Sequence, residues 1–422
     1  MDSCVPIPAN SDFTLSNMPY GIFSTESEPN RRVGVAIGEH ILDLSKVGCF
    51  CGPILSKCCH VFKEESLHDF MELGPAAWSE ARQTIHKLLS SSEGMLRDNT
   101  NLSKKALIPQ AEARLHLPAK IGDLTDFSAS KKHAENDRIM FTDDNLQINQ
   151  NWNYMPVAYH SRASSIIPSG TAIRRPNGQR LSSTGIVTFG PTEQLDFEVE
   201  LGALIGRGND LGRPIPVDDA EKHVFGMVLL NDWSARDMQS WEWKPLGCFL
   251  SKSYATTISP WVVTMEALQP FRCDMLDVQK PTPLPYLQHR IPSTFDISLH
   301  VHLSTEGAES VTRLSTTNYK YMYWTLAQQV AHHTSNGCNL KTGDLLGSGT
   351  ISGPTKSSAG SMAELSERGS VPVILANGQP RGFLLDGDEI VITGRCAKEG
   401  KSIGFGSCTG RILPPLSFPG YY

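Results

Sequence analysis

The sequence lacks the features that mark membrane, secreted or nucleic-acid-binding proteins. No apolar run approaches the roughly 18 residues of a transmembrane helix. The opening "MDSCVPIPANSDF" has neither a basic start nor an apolar stretch, and "SFPGYY" at the other end carries no sorting or lipidation motif. Acidic residues outnumber basic ones by 44 to 38, and no basic stripe with interleaved aromatic residues is present. We therefore expect a cytoplasmic enzyme with neither a membrane nor a nucleic-acid partner.

Zinc-type cysteine spacing is also missing. The chain has 10 cysteines, and four of them fall in "CFCGPILSKCCH". They are Cys49, Cys51, Cys58 and Cys59, with His60 following. This pattern differs from the paired C-x₂-C knuckles of structural zinc sites. We expect free, mostly buried thiols in a reducing compartment.

Length and patterning predict two domains. The chain has 422 residues, of which 40% are hydrophobic, enough for more than one core. Residues 1–118 combine short strands with one amphipathic helix over 75–98, a hairpin over 31–45 and a crossing segment over 108–120. Residues 119–422 read as many strands with few helices, chiefly "DWSARDMQSWEW" and "YKYMYWTLAQQVAHHTS". The predicted fold class is mostly β, of the α+β type.

The stretch "LDFEVE" (195–200) places three acids at alternate positions. In a strand, Asp196, Glu198 and Glu200 would share one face, while Leu195, Phe197 and Val199 would pack on the other. Repulsion and desolvation oppose such a grouping unless the strand is a solvated edge. A hard divalent cation, which prefers oxygen ligands, would offset the repulsion.

Four other stretches concentrate polar residues capable of chemistry. They are "DLTDFSASKKHAEN", "NDWSARDMQSWEW", "SKSYATTISP" and the glycine-rich "GDLLGSGTISGP", which leads to Glu364. In the second, four residues at i, i+4, i+7 and i+11 would share one face of a helix. They are Asp232, Arg236, Gln239 and Trp243. Singly, each candidate has an ordinary explanation: His133 at the surface, Asp232 as a helix cap, Lys252 solvated and Glu364 on an exposed turn.

Together these residues form a coherent chemical set. The oxygen donors would be Asp126, Glu198, Glu200 and Asp232, and the catalytic groups His133, Arg236, Lys252 and Gln239. The set suits hydrolysis of a carbon–carbon bond, in which a cation polarises a chelating 1,3-dicarbonyl and stabilises the departing enolate. Histidine, which titrates near neutral pH, would deprotonate the attacking water.

At these residues the sequence resembles the fumarylacetoacetate hydrolase family over nearly the whole chain. The similar stretches include "RASSIIPSGTAIRRPNGQ", "FGMVLLNDWSARDMQ", "TTISPWVV", "GSGTISG" and "LLDGDEIVITG", in collinear order. The resemblance implies a small N-terminal barrel like an SH3 domain, then a large β-sandwich roll, with the boundary at residue 118. It further implies a homodimer, formed through the C-terminal domain, that acts on carbon–carbon bonds in tyrosine and phenylalanine catabolism.

The resemblance also implies residue roles. The divalent cation, Ca²⁺ or Mg²⁺, would be held by Asp126, Glu198, Glu200 and Asp232. Lys252 and Thr256 match residues of a further magnesium site, and Asp196 would be a second layer or solvated. His133 matches the water-activating base and Glu364 the acid that orients it. Arg236, Gln239 and Lys252 match groups that stabilise the leaving carbanion and the oxyanion.

The substrate pocket departs from the family pattern. Tyr159, Gln239 and Thr350 are retained, whereas Ser128, Thr142 and Trp243 stand where the family has tyrosine, arginine and tyrosine. Loss of an arginine–carboxylate contact removes a strong charge-assisted bond. Arg138, four residues from Thr142, could replace it. The changes therefore predict an altered substrate, such as a polyketide-like or other 1,3-dicarbonyl compound.

Other readings of the sequence stay open. The same chemistry could instead end in decarboxylation, tautomerisation or carbon–carbon bond formation, as in a secondary-metabolism enzyme. A non-enzymatic scaffold would be expected to lose metal ligands first, and none of the four is missing. A nucleotide-binding enzyme would rest on "GSGTISG" alone, which lacks the lysine of a phosphate loop.

Overall fold

The computed structural model describes residues 2–48, 50–141, 148–182, 184–307 and 310–417, with only the backbone described for 137–141. The fold is mostly β with short helices, as predicted. The α-helices of these residues are His68–Glu72, Pro75–Leu89, Gly94–Arg97, Thr100–Ala106, Lys131–Phe141, Arg236–Glu242, Met265–Leu268, Leu326–Thr334 and Met362–Leu365. None of these helices combines the length and apolar character needed to cross a membrane.

The N-terminal domain is built on a five-stranded antiparallel sheet. In spatial order its strands are Leu107–Pro109, His40–Asp43, Arg32–Ile37, Tyr20–Thr25 and Ala113–His116. The predicted hairpin is confirmed, because Ile37 pairs with His40 around Gly38. The segment 108–120, predicted to cross between domains, instead contributes to both edge strands of this sheet. Its residues Ile108 and Leu115 pack against a small core cluster.

The C-terminal domain contains an eight-stranded central sheet and a five-stranded outer sheet. The central sheet runs Ala158–Ser161, Leu124–Phe127, Leu345–Gly347, Val199–Ile205, Val224–Asp232, Thr256–Ile258 and Ile166–Pro168, with Val263–Thr264 also paired to Val224–Asp232. The outer sheet runs Val311–Asn318, Ser298–Ser304, Glu389–Lys398, Lys401–Leu413 and Ile173–Arg174. The remaining strand pairs are Asn177–Leu181 with Val187–Pro191, Leu195–Asp196 with Ser234–Ala235, Arg272–Asp274 with Ser293–Phe295, and Val373–Ile374 with Pro380–Arg381.

The central sheet is covered on both faces. Every residue of strand Val199–Ile205 is buried. Leu201 belongs to the core that includes Phe405 of the outer sheet, and Leu204 belongs to the core that includes Ile22 of the N-terminal domain. Because water is excluded on both sides, any charge on this sheet needs a partner.

Three predicted helices differ from the structure. The helix that starts at Pro75 ends at Leu89, and Gly94–Arg97 is a separate turn. The helix predicted in "YKYMYWTLAQQVAHHTS" begins at Leu326, because Thr325 and Gln328 form a capping box there. In "DWSARDMQSWEW" the helix begins at Arg236.

The shared helix face predicted for Asp232, Arg236, Gln239 and Trp243 is therefore wrong. Asp232 is the last residue of buried strand Val224–Asp232, and its strand pairing with Thr256 overrides the helical spacing. Asp232 is thus not a helix cap either, since the helix cap is Ala235.

The cysteines of the described residues form no disulfide. Cys51 and Cys59 are exposed, and only Cys396 and Cys408 are buried, so the prediction of mostly buried thiols is wrong. Within the same residues, no cysteine belongs to the side-chain group that could hold a metal ion. Cys49 lies outside them.

Candidate metal centre and active site

Four buried carboxylates converge at one end of the central sheet. Asp126, Glu198, Glu200 and Asp232 each offer an oxygen, and these oxygens lie within 4.8 Å of one another. All four side chains are at least 95% buried. Asp126 comes from strand Leu124–Phe127, Glu200 from Val199–Ile205 and Asp232 from Val224–Asp232, and Glu198 directly precedes the second of these strands.

A glycine makes this convergence possible. Gly347 lies between the strands of Asp126 and Glu200, pairing with Asp126 on one side and Gly202 on the other. A Cβ atom there would lie 2.5 Å from Asp126 Oδ1 and 3.1 Å from Glu200 Oε2. Two residues further along, the Gly349 amide donates to Glu200 Oε2 at 3.1 Å. The glycine-rich stretch thus leaves room for carboxylates.

Two positively charged side chains contact the acidic cluster. Lys252 Nζ donates to Glu198 Oε2 at 2.5 Å and to Asp232 Oδ2 at 2.7 Å. Arg236 Nη2 lies 2.8 Å from Glu198 Oε1. Two positive charges against four carboxylates leave at least two negative charges without compensation if all four acids are ionised.

The pKa values reflect this imbalance. Burial, with the charge of Asp232, raises the pKa of Asp126 to about 8. Burial, with the charges of Asp126 and Asp232, raises the pKa of Glu200 well above its ordinary value. Burial would raise the pKa of Glu198 too, but Lys252 and Arg236 outweigh it and lower that pKa to about 2.

Three buried carboxylate oxygens in this cluster have no hydrogen-bond partner. They are Asp126 Oδ1, Glu200 Oε1 and Asp232 Oδ1. A buried oxygen without a partner costs free energy. Carboxylate oxygens from separate strands are the ligand type that Ca²⁺ and Mg²⁺ prefer. The residues present therefore fit a divalent cation.

The stretch "LDFEVE" forms two strands rather than one. Leu195–Asp196 pairs with Ser234–Ala235, whereas Val199 begins the longer strand of the central sheet. As predicted, Leu195, Phe197 and Val199 pack together in the main core. The solvated-edge reading is wrong, since Asp196, Glu198 and Glu200 are all buried.

Asp196 holds Arg236 instead of joining the four carboxylates. Its Oδ2 accepts from Arg236 Nε at 2.9 Å, and its two oxygens also accept from the backbone amides of Met362 and Ala363. Arg236 Nη1 in turn donates to Gln239 Oε1 at 3.1 Å. Asp196 and Gln239 therefore fix the side chain of Arg236 through hydrogen bonds.

A histidine–carboxylate pair is buried close to the acidic cluster. His133 Nδ1 lies 2.9 Å from Glu364 Oε2, and both side chains are more than 90% buried. Ser361, whose hydroxyl donates to Glu364, forms a β-bridge with Glu198, and this bridge places the pair close to the cluster. The surface reading of His133, the exposed reading of Glu364 and the solvated reading of Lys252 are therefore wrong.

Several residues that the sequence reading missed hold Glu364. Asn136 Nδ2 donates to Glu364 Oε1 at 2.8 Å, and the hydroxyls of Ser352 and Ser361 lie 2.9 Å from its oxygens. Burial would raise the pKa of Glu364, but the charge of His133 and the hydrogen bonds from His133, Asn136 and Ser352 lower it. Two features of the sequence could have indicated these contacts. Asn136 lies one helical turn after His133, and "SMAE" has capping-box spacing, which brings Ser361 to Glu364.

The remaining predicted site residues divide into two groups. Tyr159 donates from its hydroxyl to Asp232 Oδ2 at 2.8 Å, Thr256 pairs with Asp232 across the sheet, and Gln239 contacts Arg236. These three adjoin the cluster. Thr350 is buried on the glycine-rich stretch, with its methyl group beside Gly360.

The described residues at the substituted pocket positions, Ser128 and Trp243, lie outside the acidic cluster. Ser128 is half-buried and bonds through its backbone to Val157 and Trp152. Trp243 directly follows helix Arg236–Glu242 as its C-cap and is 46% exposed. Thr142 and the side chain of Arg138 lie outside the described residues.

Comparison with known proteins gives consistent matches along the chain. Residues 16–118 match a family model described as fumarylacetoacetase N-terminal, and residues 124–413 match one described as fumarylacetoacetate (FAA) hydrolase C-terminal. The chain is 54% identical to a fumarylacetoacetase of Homo sapiens over 416 residues, covering 98% of this chain and 99% of that protein. It is 50% identical to one of Caenorhabditis elegans over 417 residues, with the same coverage.

A solved structure supports the fold. A fumarylacetoacetate hydrolase from psychrophilic Exiguobacterium antarcticum matches with a TM-score of 0.53 and 18% identity, over 94% of this chain and 99% of that one. At this identity the likeness concerns the fold alone.

Proposed function

Because this chain belongs to the fumarylacetoacetase family, and so is a hydrolase of carbon–carbon bonds, we propose that it cleaves a 1,3-diketo acid with the help of a divalent cation. The proposed substrate is fumarylacetoacetate or a related 1,3-dicarbonyl compound. The observation that carries this proposal is the buried His133–Glu364 pair beside a four-carboxylate cluster with unpartnered oxygens.

The proposed base is His133. With its Nδ1 hydrogen directed at Glu364, its Nε2 is the nitrogen that would accept the proton of the attacking water. Glu364, ionised because its pKa is lowered, would orient the ring and stabilise the imidazolium. Asn136, Ser352 and Ser361 would keep the carboxylate in place.

The cation would be held by Asp126, Glu198, Glu200 and Asp232. When bound, Mg²⁺ or Ca²⁺ would withdraw electron density from two substrate carbonyl oxygens and so ease departure of the carbanion. Lys252, held by Glu198 and Asp232, would place a fixed positive charge where negative charge develops. Arg236 and Gln239 would add hydrogen-bond donors, and Arg236 would also keep Glu198 ionised.

The substrate end of the pocket is the less constrained part of the proposal. Tyr159 and Thr350 remain as candidate contacts, whereas Ser128 offers only a short hydroxyl and Trp243 is nearly half exposed. A missing arginine–carboxylate contact is worth about 2–5 kcal/mol when one partner of a buried pair is truncated. We therefore propose weaker binding of the carboxylate end than in relatives that have the arginine.

Turnover of fumarylacetoacetate by the purified chain with Mg²⁺ or Ca²⁺, in water labelled with ¹⁸O, tests the proposal. Hydrolysis places one solvent oxygen in the newly formed carboxylate. Label-free products from decarboxylation, tautomerisation or bond formation would overturn it. Turnover at rates typical of fumarylacetoacetases would refute only the altered substrate binding.

We also propose a homodimer, a cytoplasmic location and a domain boundary at residues 118–119. The homodimer is supported by large apolar side chains exposed on two adjoining segments of the C-terminal domain. They are Leu181, Ile186, Val187 and Phe189 on one segment, and Trp241, Trp243, Leu246, Phe249 and Leu250 on the other. In analytical ultracentrifugation, the wild-type chain should sediment as a dimer. The Leu246→Asp variant should dissociate into monomers at higher protein concentration than wild type does. A monomeric wild type would refute this part.

A further inference from the structure

Glu242 accepts hydrogen bonds from three consecutive residues of the next loop. Its Oε1 accepts from the amides of Phe249 at 2.7 Å and Ser251 at 2.9 Å, and from the Ser251 hydroxyl. Its Oε2 accepts from the amide of Leu250 at 3.0 Å. One carboxylate thus satisfies every backbone donor of residues 249–251.

The position of Glu242 is unfavourable for its own helix. It is the last residue of helix Arg236–Glu242, where the helix dipole is negative and disfavours an acid. Charge-assisted bonds to the loop amides offset this cost. The carboxylate therefore stabilises the loop rather than the helix.

Within one chain, the apolar side chains of this loop pack little against the rest of the protein. Leu246 is 96% exposed, Phe249 67% and Leu250 50%. Gly247, at φ +94°, has open space where a side chain would be. Within the chain, the bonds to Glu242 therefore anchor the exposed residues Phe249 and Leu250, whereas Ser251 is also held by its own burial.

The loop leads directly to the acidic cluster. Lys252 follows Ser251, and its amide donates to the Phe249 carbonyl at 3.2 Å. The Ser251 carbonyl accepts from the Ala235 amide at 3.0 Å, which ties the loop to the start of the helix of Arg236. The backbone of Lys252 is thereby fixed at the point from which its ammonium reaches Glu198 and Asp232.

We propose that Glu242 is a positioning residue that fixes the loop of residues 249–251 and, through it, places Lys252 against the metal-ligand carboxylates. The inference rests on the proposed function for the role of Lys252. The hydrogen-bond partners of Glu242 are Phe249, Leu250 and Ser251, outside the acidic cluster. The effect of Glu242 should therefore disappear when Lys252 is replaced.

A double-mutant cycle tests this directly. Mg²⁺ or Ca²⁺ alone is titrated calorimetrically into wild type, Glu242→Gln, Lys252→Met and the double variant. Removal of the Lys252 charge should tighten cation binding by about tenfold or more, since repulsion between the two cations is lost. Glu242→Gln should produce part of that tightening in the wild-type background and none in the Lys252→Met background. Equal effects in both backgrounds, or no effect in either, would overturn the proposal.

Amide hydrogen exchange provides a readout that needs no cation. Glu242→Gln should accelerate exchange in residues 249–252, whereas Glu72→Gln, an exposed glutamate at the end of another helix, should not. Unchanged exchange in Glu242→Gln would refute the anchoring role. A wild type that binds no cation would instead refute the proposed function, and exchange would still decide the role of Glu242.

Discussion

Lowering the pH should weaken cation binding, because protons and the cation compete for the same carboxylates. The pKa of Asp126 is about 8 without a cation, mainly through burial, and that of Glu200 is also raised. A ligand carboxylate must be deprotonated to bind a metal, so binding should release protons. Apparent affinity should therefore rise with pH and level off above the pKa values.

The magnitude follows from the Asp126 value. A group with a pKa of 8 is about 1% ionised at pH 6 and half ionised at pH 8, so this single proton weakens binding by about 50-fold at the lower pH. The raised pKa of Glu200 makes the dependence steeper. Glu198 contributes nothing in this range, since its pKa is lowered to about 2.

Calorimetric titration of Mg²⁺ at several pH values, in buffers of different ionisation enthalpy, measures both affinity and protons released. We expect at least one proton per bound ion near pH 7. Asp126→Asn should bind more weakly and release fewer protons, whereas Glu72→Gln should match wild type. The reasoning would be refuted if the Mg²⁺ affinity constant changed by less than about threefold between pH 6 and pH 8. Binding heats that do not depend on the buffer would also refute it.

Three further predictions concern the same site. In EDTA, the melting temperature should fall as pH rises from 5 to 8. The pKa of Asp126 is about 8 in the folded state and 3.8 ordinarily, so the folded state binds this proton more tightly and loses that stabilisation as pH rises. Excess Mg²⁺ should flatten the profile. Gly347→Ala should abolish cation binding in calorimetry because its Cβ would lie 2.5 Å from Asp126 Oδ1, whereas Gly190→Ala, with only one distant neighbour, should bind normally. Glu364→Gln should lower kcat about 100-fold or more with unchanged cation affinity, since it misorients the base; activity within threefold of wild type would contradict the assignment.

The sequence predicts the fold class and the family better than the local structure. Alternation of apolar residues places Leu195, Phe197 and Val199 in the core, as the structure has them. The acids at 198 and 200 were expected on one strand face, and both belong to the cluster. The role of Asp196 required the structure, because its partner Arg236 comes from a distant segment.

Tertiary context explains the errors. The spacing from Asp232 to Trp243 fits a helix, but strand pairing with Thr256 extends the sheet to Asp232 and delays the helix to Arg236. The space at Gly347 and the amides that bond to Glu242 depend on which backbone lies opposite these residues. No local pattern encodes that information.

Anomalous diffraction from crystals grown with Mn²⁺, an ion that favours carboxylate ligands, tests the central claim most directly. The account predicts one ion bound by oxygens of Asp126, Glu198, Glu200 and Asp232. An ion located elsewhere, or no anomalous peak between these carboxylates at saturating Mn²⁺ and pH 8, would contradict it.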